Sequence, residues 1–320
     1  LAGRRLREPR KMKDWAHASP LSNDASALGF AKWAIPGLAT TILGETMATV
    51  ATGTDDLLAD LDQGVLTLTM NRPQARNAMS RAMVAALAEQ LGKAELDPEV
   101  RCIVLTGAGK GFCAGGDVKG MAASGDGTVG QNTIDGAIHR QRVNQRATAG
   151  KLYSIPKPTI AALPGAAAGA GLSLALSCDL RIMASDAIMT TAFGRVGFSG
   201  DYGGTFFMSQ LVGTAKAREL YFLSERVSAE EALRIGLTNW ICEPEALAGR
   251  TREIASRLAA GPAVAYRYMK ENIDRAISSG DVYDCLDLEA THHVHCGQTE
   301  DHRNAARAFV EKREPVFQGR

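Results

Sequence analysis

Two glycine-rich turns and one aspartate hold most of the chemistry this sequence can support. Gly115-Gly116-Asp117 follows an apolar strand ending at Thr106, and Gly165 to Gly171 follows a second strand ending at Leu163 and opens a helix. Glycine admits positive φ and lets a ligand approach backbone N–H groups closely. A helix N-terminus adds partial positive charge. Side by side, the two turns could aim two N–H groups at one developing oxyanion. Tight turns needed only for packing would read the same way. Neither turn fits G-x-G-x-x-G or the Walker pattern, so phosphate cradling is not indicated. The aspartate sits in Phe198-Ser199-Gly200-Asp201-Tyr202-Gly203-Gly204. There it either caps a turn before two glycines or serves as an acid/base group. His292, His293, His295 and Cys296 have helical spacing compatible with a metal. No supporting carboxylate accompanies them, and no metal site is expected.

The elements that must position these residues alternate. Leu57–Leu61 and Val65–Met70 read as strands around Asp62-Gln63-Gly64, with Asn71-Arg72-Pro73 as a breaker. Ser80 caps a helix with apolar Met83, Val84, Leu87 and Leu91. Arg101–Thr106 is nearly continuously apolar, as for a strand buried on both faces. After a helical, polar stretch containing His139 and Arg140, strands follow at Thr159–Leu163 and Leu180–Ala184, with a small-residue helix at Ala166–Leu176 between them. From Thr214 onward the pattern is helical: Thr214–Leu223, Ser228–Ile235, Pro244–Leu258, Ala263–Ile277 and Asp281–His295. Strands alternating with helices imply an α/β fold with right-handed crossovers.

Composition narrows the partners. Of 320 residues, 36 are Lys or Arg and 35 are Asp or Glu, a balance unsuited to a polyanion as main ligand. Residues 1–46 differ from the rest, with seven basic residues against four acids. They are expected to form a disordered extension, with a basic targeting segment as the competing reading. None of the 6 cysteines forms a C-x-x-C pair, which suits reduced, buried thiols and a cytoplasmic setting. No apolar run is long enough for a membrane span, so neither membrane nor nucleic acid is an expected partner.

At this point the residues resemble a known family. Asn71-Arg72-Pro73 with Asn77-Ala78, then Gly111-Phe112-Cys113-Ala114-Gly115-Gly116-Asp117-Val118-Lys119, then Pro164-Gly165-Ala166-Ala167-Ala168-Gly169-Ala170-Gly171 with Cys178-Asp179 are similar to the crotonase (enoyl-CoA hydratase/isomerase) superfamily. Gly203-Gly204, Ser228-Ala229-Glu230-Glu231-Ala232 and Thr299-Glu300-Asp301-His302 continue the match in register. The resemblance implies a spiral of ββα repeats over residues 51–245, a helical trimerisation region over 246–320, and an N-terminal extension over 1–50. It implies a homotrimer or hexamer acting on an acyl-CoA thioester, with no cofactor beyond that substrate. Backbone N–H groups of Gly116 and Ala170 would form the oxyanion hole. Arg76 and the backbone around Ala78, Ala114, Asp117 and Val118 would meet the CoA, joined by Phe309 and Lys312 from a neighbouring subunit.

The sequence departs from the family's hydratases at their two glutamates. The matching positions are Ser173 and Phe193. A hydroxyl needs an adjacent base, and phenylalanine cannot titrate. Asp201 instead matches the catalytic aspartate of the isomerase branch. Phe198, Tyr202, Phe206 and Phe207 would surround it with apolar surface and raise its pKa toward working pH. The leading expectation is therefore a 1,3-proton shift by an enoyl-CoA isomerase, with Asp201 as the proton shuttle. An enoyl-CoA hydratase with unorthodox groups, in fatty-acid or aromatic-acid breakdown, is the alternative. A third reading, a non-catalytic RNA-binding or scaffold crotonase, would need a lysine-rich helix. The matching helix, Ser80–Glu95, carries only Arg81 and Lys93.

Overall fold

A computed structural model describes residues 48–117 and 133–320. The described residues fall within one compact unit. Strands β2 (Leu57–Asp62) and β3 (Val65–Met70) form an antiparallel hairpin. Its two-residue turn, Gln63-Gly64, has φ 48° and 80°, the doubly positive geometry that matches strand twist. Strand β1 (Ala48–Val50) pairs antiparallel with β2. The core thus reaches three residues into the stretch expected to be an extension, because β2 offers a free edge there. Residues 1–47 lie outside the described residues, as do 118–132 with Val118.

Helix α1 (Arg81–Leu96) starts where Ser80 Oγ accepts the Met83 N–H at 3.0 Å. It buries Met83, Val84, Leu87 and Leu91, the expected face. From there the chain coils in ββα turns. Each turn adds one strand to a seven-stranded sheet, ordered β1-β2-β3-β4-β6-β8-β11, and all but the last add one to a four-stranded sheet, ordered β10-β9-β7-β5. The first sheet takes β4 (Cys102–Gly107), β6 (Thr159–Leu163), β8 (Leu180–Ala184) and β11 (Trp240–Cys242), mutually parallel and parallel to β3. The second takes β5 (Gly111–Cys113), β7 (Ala166–Ala168) and β9 (Ile188–Thr190), also parallel, plus β10 (Val227–Ser228), antiparallel to β9. Parallel strands covered on both sides explain the continuous apolar runs of β4 and β6.

The second sheet is the main departure from the sequence reading. Its strands have only two or three residues, too short to show a period. Ala166–Ala168, read as helix, is strand β7, and the helix α3 begins only at Ala170 and runs to Ser177. Alanine favours helix locally, but pairing with β5 and β9 overrides that preference.

Helix α2 (Ile134–Gln145) continues through a π turn, Arg146–Gly150, into Lys151–Ser154. Helix α4 (Gly204–Leu223) begins ten residues before the expected start and breaks direction at Gly213, φ 74° and ψ 162°. After the short α5 (Ala229–Arg234), α6 (Leu247–Ala259) buries Leu247, Ile254, Ala255 and Ala259 against the main sheet. It belongs to the core, although the sequence boundary at 246 assigned it to the oligomerisation region. Helices α7 (Ala263–Ser279), α8 (Val282–Gly297) and α9 (Glu300–Glu311) follow. Together they bury few side chains of their own. Met269, Ile273, Tyr283, Leu286, Val294, Phe309 and Val310 are all exposed. No described helix is long and apolar enough to cross a membrane.

Candidate active site

The first glycine turn is held by contacts from the loop that precedes α1. Asn77, fully buried at φ 56°, donates from Nδ2 to the carbonyls of Ala108 (2.9 Å) and Gly111 (2.8 Å) and accepts the Arg72 N–H at 2.9 Å. Arg72 reaches Asp117 at 3.1 Å and donates to the Ala78 carbonyl at 2.7 Å. Asp117 therefore fastens its own turn through its side chain. Met79 N–H donates to the Gly115 carbonyl at 2.8 Å. In a trans peptide C=O and N–H point opposite ways. The Gly116 N–H therefore points away from the Met79 N–H, and Gly116 lines a cleft.

The second turn abuts the first. Gly115 has φ 93°, and a Cβ there would lie 2.9 Å from the Ala168 carbonyl and 3.3 Å from the Ala170 nitrogen. Gly169, at φ 53° and ψ −127°, adopts a conformation open essentially to glycine. Its carbonyl accepts from Ser173 N–H at 3.0 Å and starts α3. The Ala170 N–H, at the first helical position, has no acceptor within its own helix and carries the helix's partial positive charge. Both amides belong to one cleft of about 790 Å³, also lined by Ala114, Phe193, Asp201 and Tyr202.

Asp201 stands just before α4. Its backbone is set by Gly200 (φ 117°), Tyr202 (φ 50°) and Gly203 (φ 74°), and its carbonyl accepts from Gly204 N–H at 3.0 Å. Turn-capping is thus done by the main chain. The side-chain Oδ1 is buried without any hydrogen-bond partner. Burial pushes this carboxyl from 3.8 to about 6. Phe198 and Tyr202 share its cleft as expected. Phe206 and Phe207 do not. They stack edgewise and tilted on Tyr153, with centroids 5.9 and 5.4 Å away, and line a separate apolar cavity of about 390 Å³ under α7.

The break at Gly213 returns Tyr221 to the start of α4. A Cβ at Gly204 would fall 2.6 Å from the Tyr221 hydroxyl and 2.3 Å from Ser173 Oγ. Ser173, 1% exposed, donates to the Gly169 carbonyl at 3.3 Å and is not among the residues lining the cleft. Phe193 does line it, stacked on Tyr221 at 5.9 Å and 13°. Neither position of the missing glutamates offers a proton-transfer group to the cleft.

The remaining expected contacts scatter. Ala114 lines the cleft, whereas Arg76 is exposed and Ala78 buried beside it. Phe309 and Lys312 are exposed at the end of α9 and do not line this chain's cleft. His292 stacks on Tyr268 at 4.1 Å and sets its ring nitrogens against Asn272 (2.6 Å) and Glu271 (3.4 Å). Among the described residues no group of three or more His, Cys, Asp or Glu is placed to hold a metal ion. Sequence reading missed Gln141, Asn144 and Gln145, which with Arg140 put one stripe of α2 on the cleft. The signal was there as polar residues at i, i+1, i+4 and i+5 from Arg140 in a helix with few apolar positions. His139, their neighbour, is exposed and does not line the cleft.

Comparison with known proteins agrees with this architecture. The sequence profile of the Enoyl-CoA hydratase/isomerase family matches residues 60–320. A 1,2-epoxyphenylacetyl-CoA isomerase of Escherichia coli is 36% identical over 82% of this chain and 98% of its own length. A short-chain-enoyl-CoA hydratase of Clostridium acetobutylicum is 35% identical over 81% of this chain and 96% of its own. A crystal structure titled as a putative enoyl-CoA hydratase from Streptomyces coelicolor superposes with a TM-score of 0.78 at 33% identity, covering 88% of this chain and all of that one. The chain therefore belongs to the enoyl-CoA hydratase/isomerase family, and is an acyl-CoA-processing enzyme of the crotonase fold.

Proposed function

We propose that this enzyme moves a carbon–carbon double bond within an enoyl-CoA by a 1,3-proton shift, with Asp201 as the single acid/base group. One observation carries the reading: among the described residues, the only carboxylate lining the cleft has a buried oxygen with no hydrogen-bond partner. An ionised carboxylate left in that state stabilises itself by taking a proton. With a 3-enoyl-CoA, the Asp201 carboxylate removes a proton from C2. The electron pair spreads through C3 and C4 and onto the thioester oxygen. The now neutral Asp201 returns the same proton to C4, and the double bond ends at C2–C3. No water, redox partner or second acid is required.

The enolate charge collects on oxygen, where the Gly116 and Ala170 amides serve as an oxyanion hole. One preorganised donor of this kind typically contributes about 3–4 kcal/mol to transition-state binding. CoA recognition is assigned to Arg76 and the backbone around Ala78, Ala114, Asp117 and Val118. Phe309 and Lys312, remote from this chain's cleft, would act in a neighbour's cleft within a homotrimer or hexamer. The apolar side chains left exposed on α7–α9 support such an assembly. The reading calls for no cofactor besides the thioester, and for a cytoplasmic setting, where fatty-acid β-oxidation is one use.

The test is a pair of substrates. Incubated with 3-enoyl-CoA, the enzyme should produce the 2-enoyl isomer, and Asp201→Asn should lower kcat by about 10²–10⁴-fold. Water addition to 2-enoyl-CoA without a shift of 3-enoyl-CoA would replace this mechanism with hydration. Full activity of Asp201→Asn would remove Asp201 from it.

A further inference from the structure

Gln145 is the last residue of α2, where the helix widens into the π turn Arg146–Gly150. Single π turns are frequent where a helix must redirect a side chain at a functional site. Here the redirected side chain crosses to a different element. Gln145 Oε1 accepts the backbone N–H of Tyr202 at 2.5 Å. A backbone N–H can only donate, so this contact also fixes which amide atom is oxygen. The Nε2 group is left as a donor, and Gln145 itself lines the cleft. Tyr202 is the residue after Asp201 and holds φ 50°, a region that a bulky residue enters only when its surroundings impose it. The peptide whose N–H Gln145 receives is the one that joins Asp201 to Tyr202. The other supports of this turn come from α4 itself, through the Asp201 carbonyl and Gly204 N–H, and from the Tyr221 ring packed near Gly200. Gln145 is the contact that ties it across the cleft to α2.

We propose that Gln145 is a positioning residue for proton transfer: its side-chain carbonyl clamps the Asp201–Tyr202 peptide and thereby sets where the Asp201 carboxyl stands in the cleft. This rests on Asp201 being the proton shuttle. The clamp acts through geometry, not through binding, because it touches main chain on a wall of the cleft. Its removal should act on kcat before KM, since small displacements of a reacting group cost rate steeply. A glutamate at 145 keeps the acceptor and the reach but adds a negative charge near Asp201. Like charge disfavours ionisation of a neighbouring carboxylate.

The experiment compares the full-length wild type with Gln145→Ala, Gln145→Glu and Asp201→Asn on 3-enoyl-CoA, with pH–rate profiles for each active form. Gln145→Ala is expected to lose about 10- to 100-fold in kcat with KM changed less than about threefold. Gln145→Glu is expected to recover most of that kcat above neutral pH, with the acid limb of its profile moved upward. If Asp201→Asn is inactive while Gln145→Ala keeps wild-type kcat and profile, the clamp is wrong and the shuttle stands. If Asp201→Asn is fully active, the underlying reading fails first. Should Gln145→Ala not fold, Gln145→Glu decides alone: an acid limb in the wild-type position overturns the proposal.

Discussion

With Asp201 as the proposed proton shuttle, stability and activity pull against each other at one side chain. Its carboxyl titrates at about 6 in the folded chain against 3.8 as the ordinary value, and burial is the cause. Between those two values the folded state binds more protons than the unfolded one. Stability therefore falls as pH rises through that window, and the loss is complete above about 6. After allowance for partial solvent access, the penalty at neutral pH is on the order of 2 kcal/mol. Asp201→Asn should accordingly be more stable than wild type at pH 7 and lose that advantage near pH 4, as urea unfolding at the two pH values will reveal. The rate should move the opposite way. A base works only when ionised, so kcat/KM of the wild type is expected to rise through about pH 6 and then level. An acid limb in the range of an ordinary aspartate would contradict this. Ser173 and Phe193 illustrate the converse at the same scale. The hydroxyl is spent on the Gly169 carbonyl and the ring on Tyr221, so each has a packing role that accounts for it.

At the scale of elements, the two glycine turns proposed as the oxyanion hole depend on how closely β5 and β7 bring their ends together. Gly115 is the point of close approach that also carries a positive φ. Its φ of 93° excludes an ordinary side chain, and a Cβ would stand 2.9 Å from the Ala168 carbonyl, which is main chain and cannot swing aside. Gly115→Ala should therefore separate the two turns. Destabilisation of about 1–3 kcal/mol is expected from backbone strain. A loss in kcat larger than this stability change explains is expected too, because both donors shift at once. Thermal unfolding together with kcat measured well below the new midpoint will separate the two effects. A variant of normal rate would show that the turns need not touch. The loop before α1 sustains the same geometry from the other side, with Asn77 and Arg72 tying four separate backbone segments.

At the scale of the whole molecule, the chain has a well-filled spiral core and a helical end that is poorly buried. Helix α7 has no buried residue, and α8 only His292. Tyr283, Leu286 and Val294 on α8 are all more than half exposed. Exposed apolar side chains gathered on one helix are what the proposed assembly would cover. Leu286→Asp should leave the core folded and shift the sedimenting species to lower mass. If Phe309 and Lys312 act in a neighbour's cleft, the same variant should also raise KM for the acyl-CoA. An unchanged mass for Leu286→Asp would place the interface elsewhere.

The sequence by itself determined the elements with a strong period and, through a distinctive order of residues, the family. Hairpin β2–β3, the capped α1, the buried strands β4, β6 and β8, and helices α5 to α8 could be read from hydrophobic spacing and capping residues, since those signals are local, whereas α9 and the start of α4 were not read. Asp201, the two glycine turns and the positions of the absent glutamates could be picked out as candidates, because the family resemblance marks the positions and residue type limits what each can do. Only the tertiary structure decided the rest. The three-residue strands of the second sheet exist through pairing with distant partners, so Ala166–Ala168 follows β5 and β9 instead of its own helical preference. Phe206 and Phe207 lie on α4, but the face they occupy turns them to Tyr153 and away from Asp201. Gln145 lies 56 residues before Asp201 in the chain and meets its peptide only because the spiral stacks one turn on the next. Spacing along a chain reports which face a side chain shares with its neighbours; which surface that face meets is set by long-range packing.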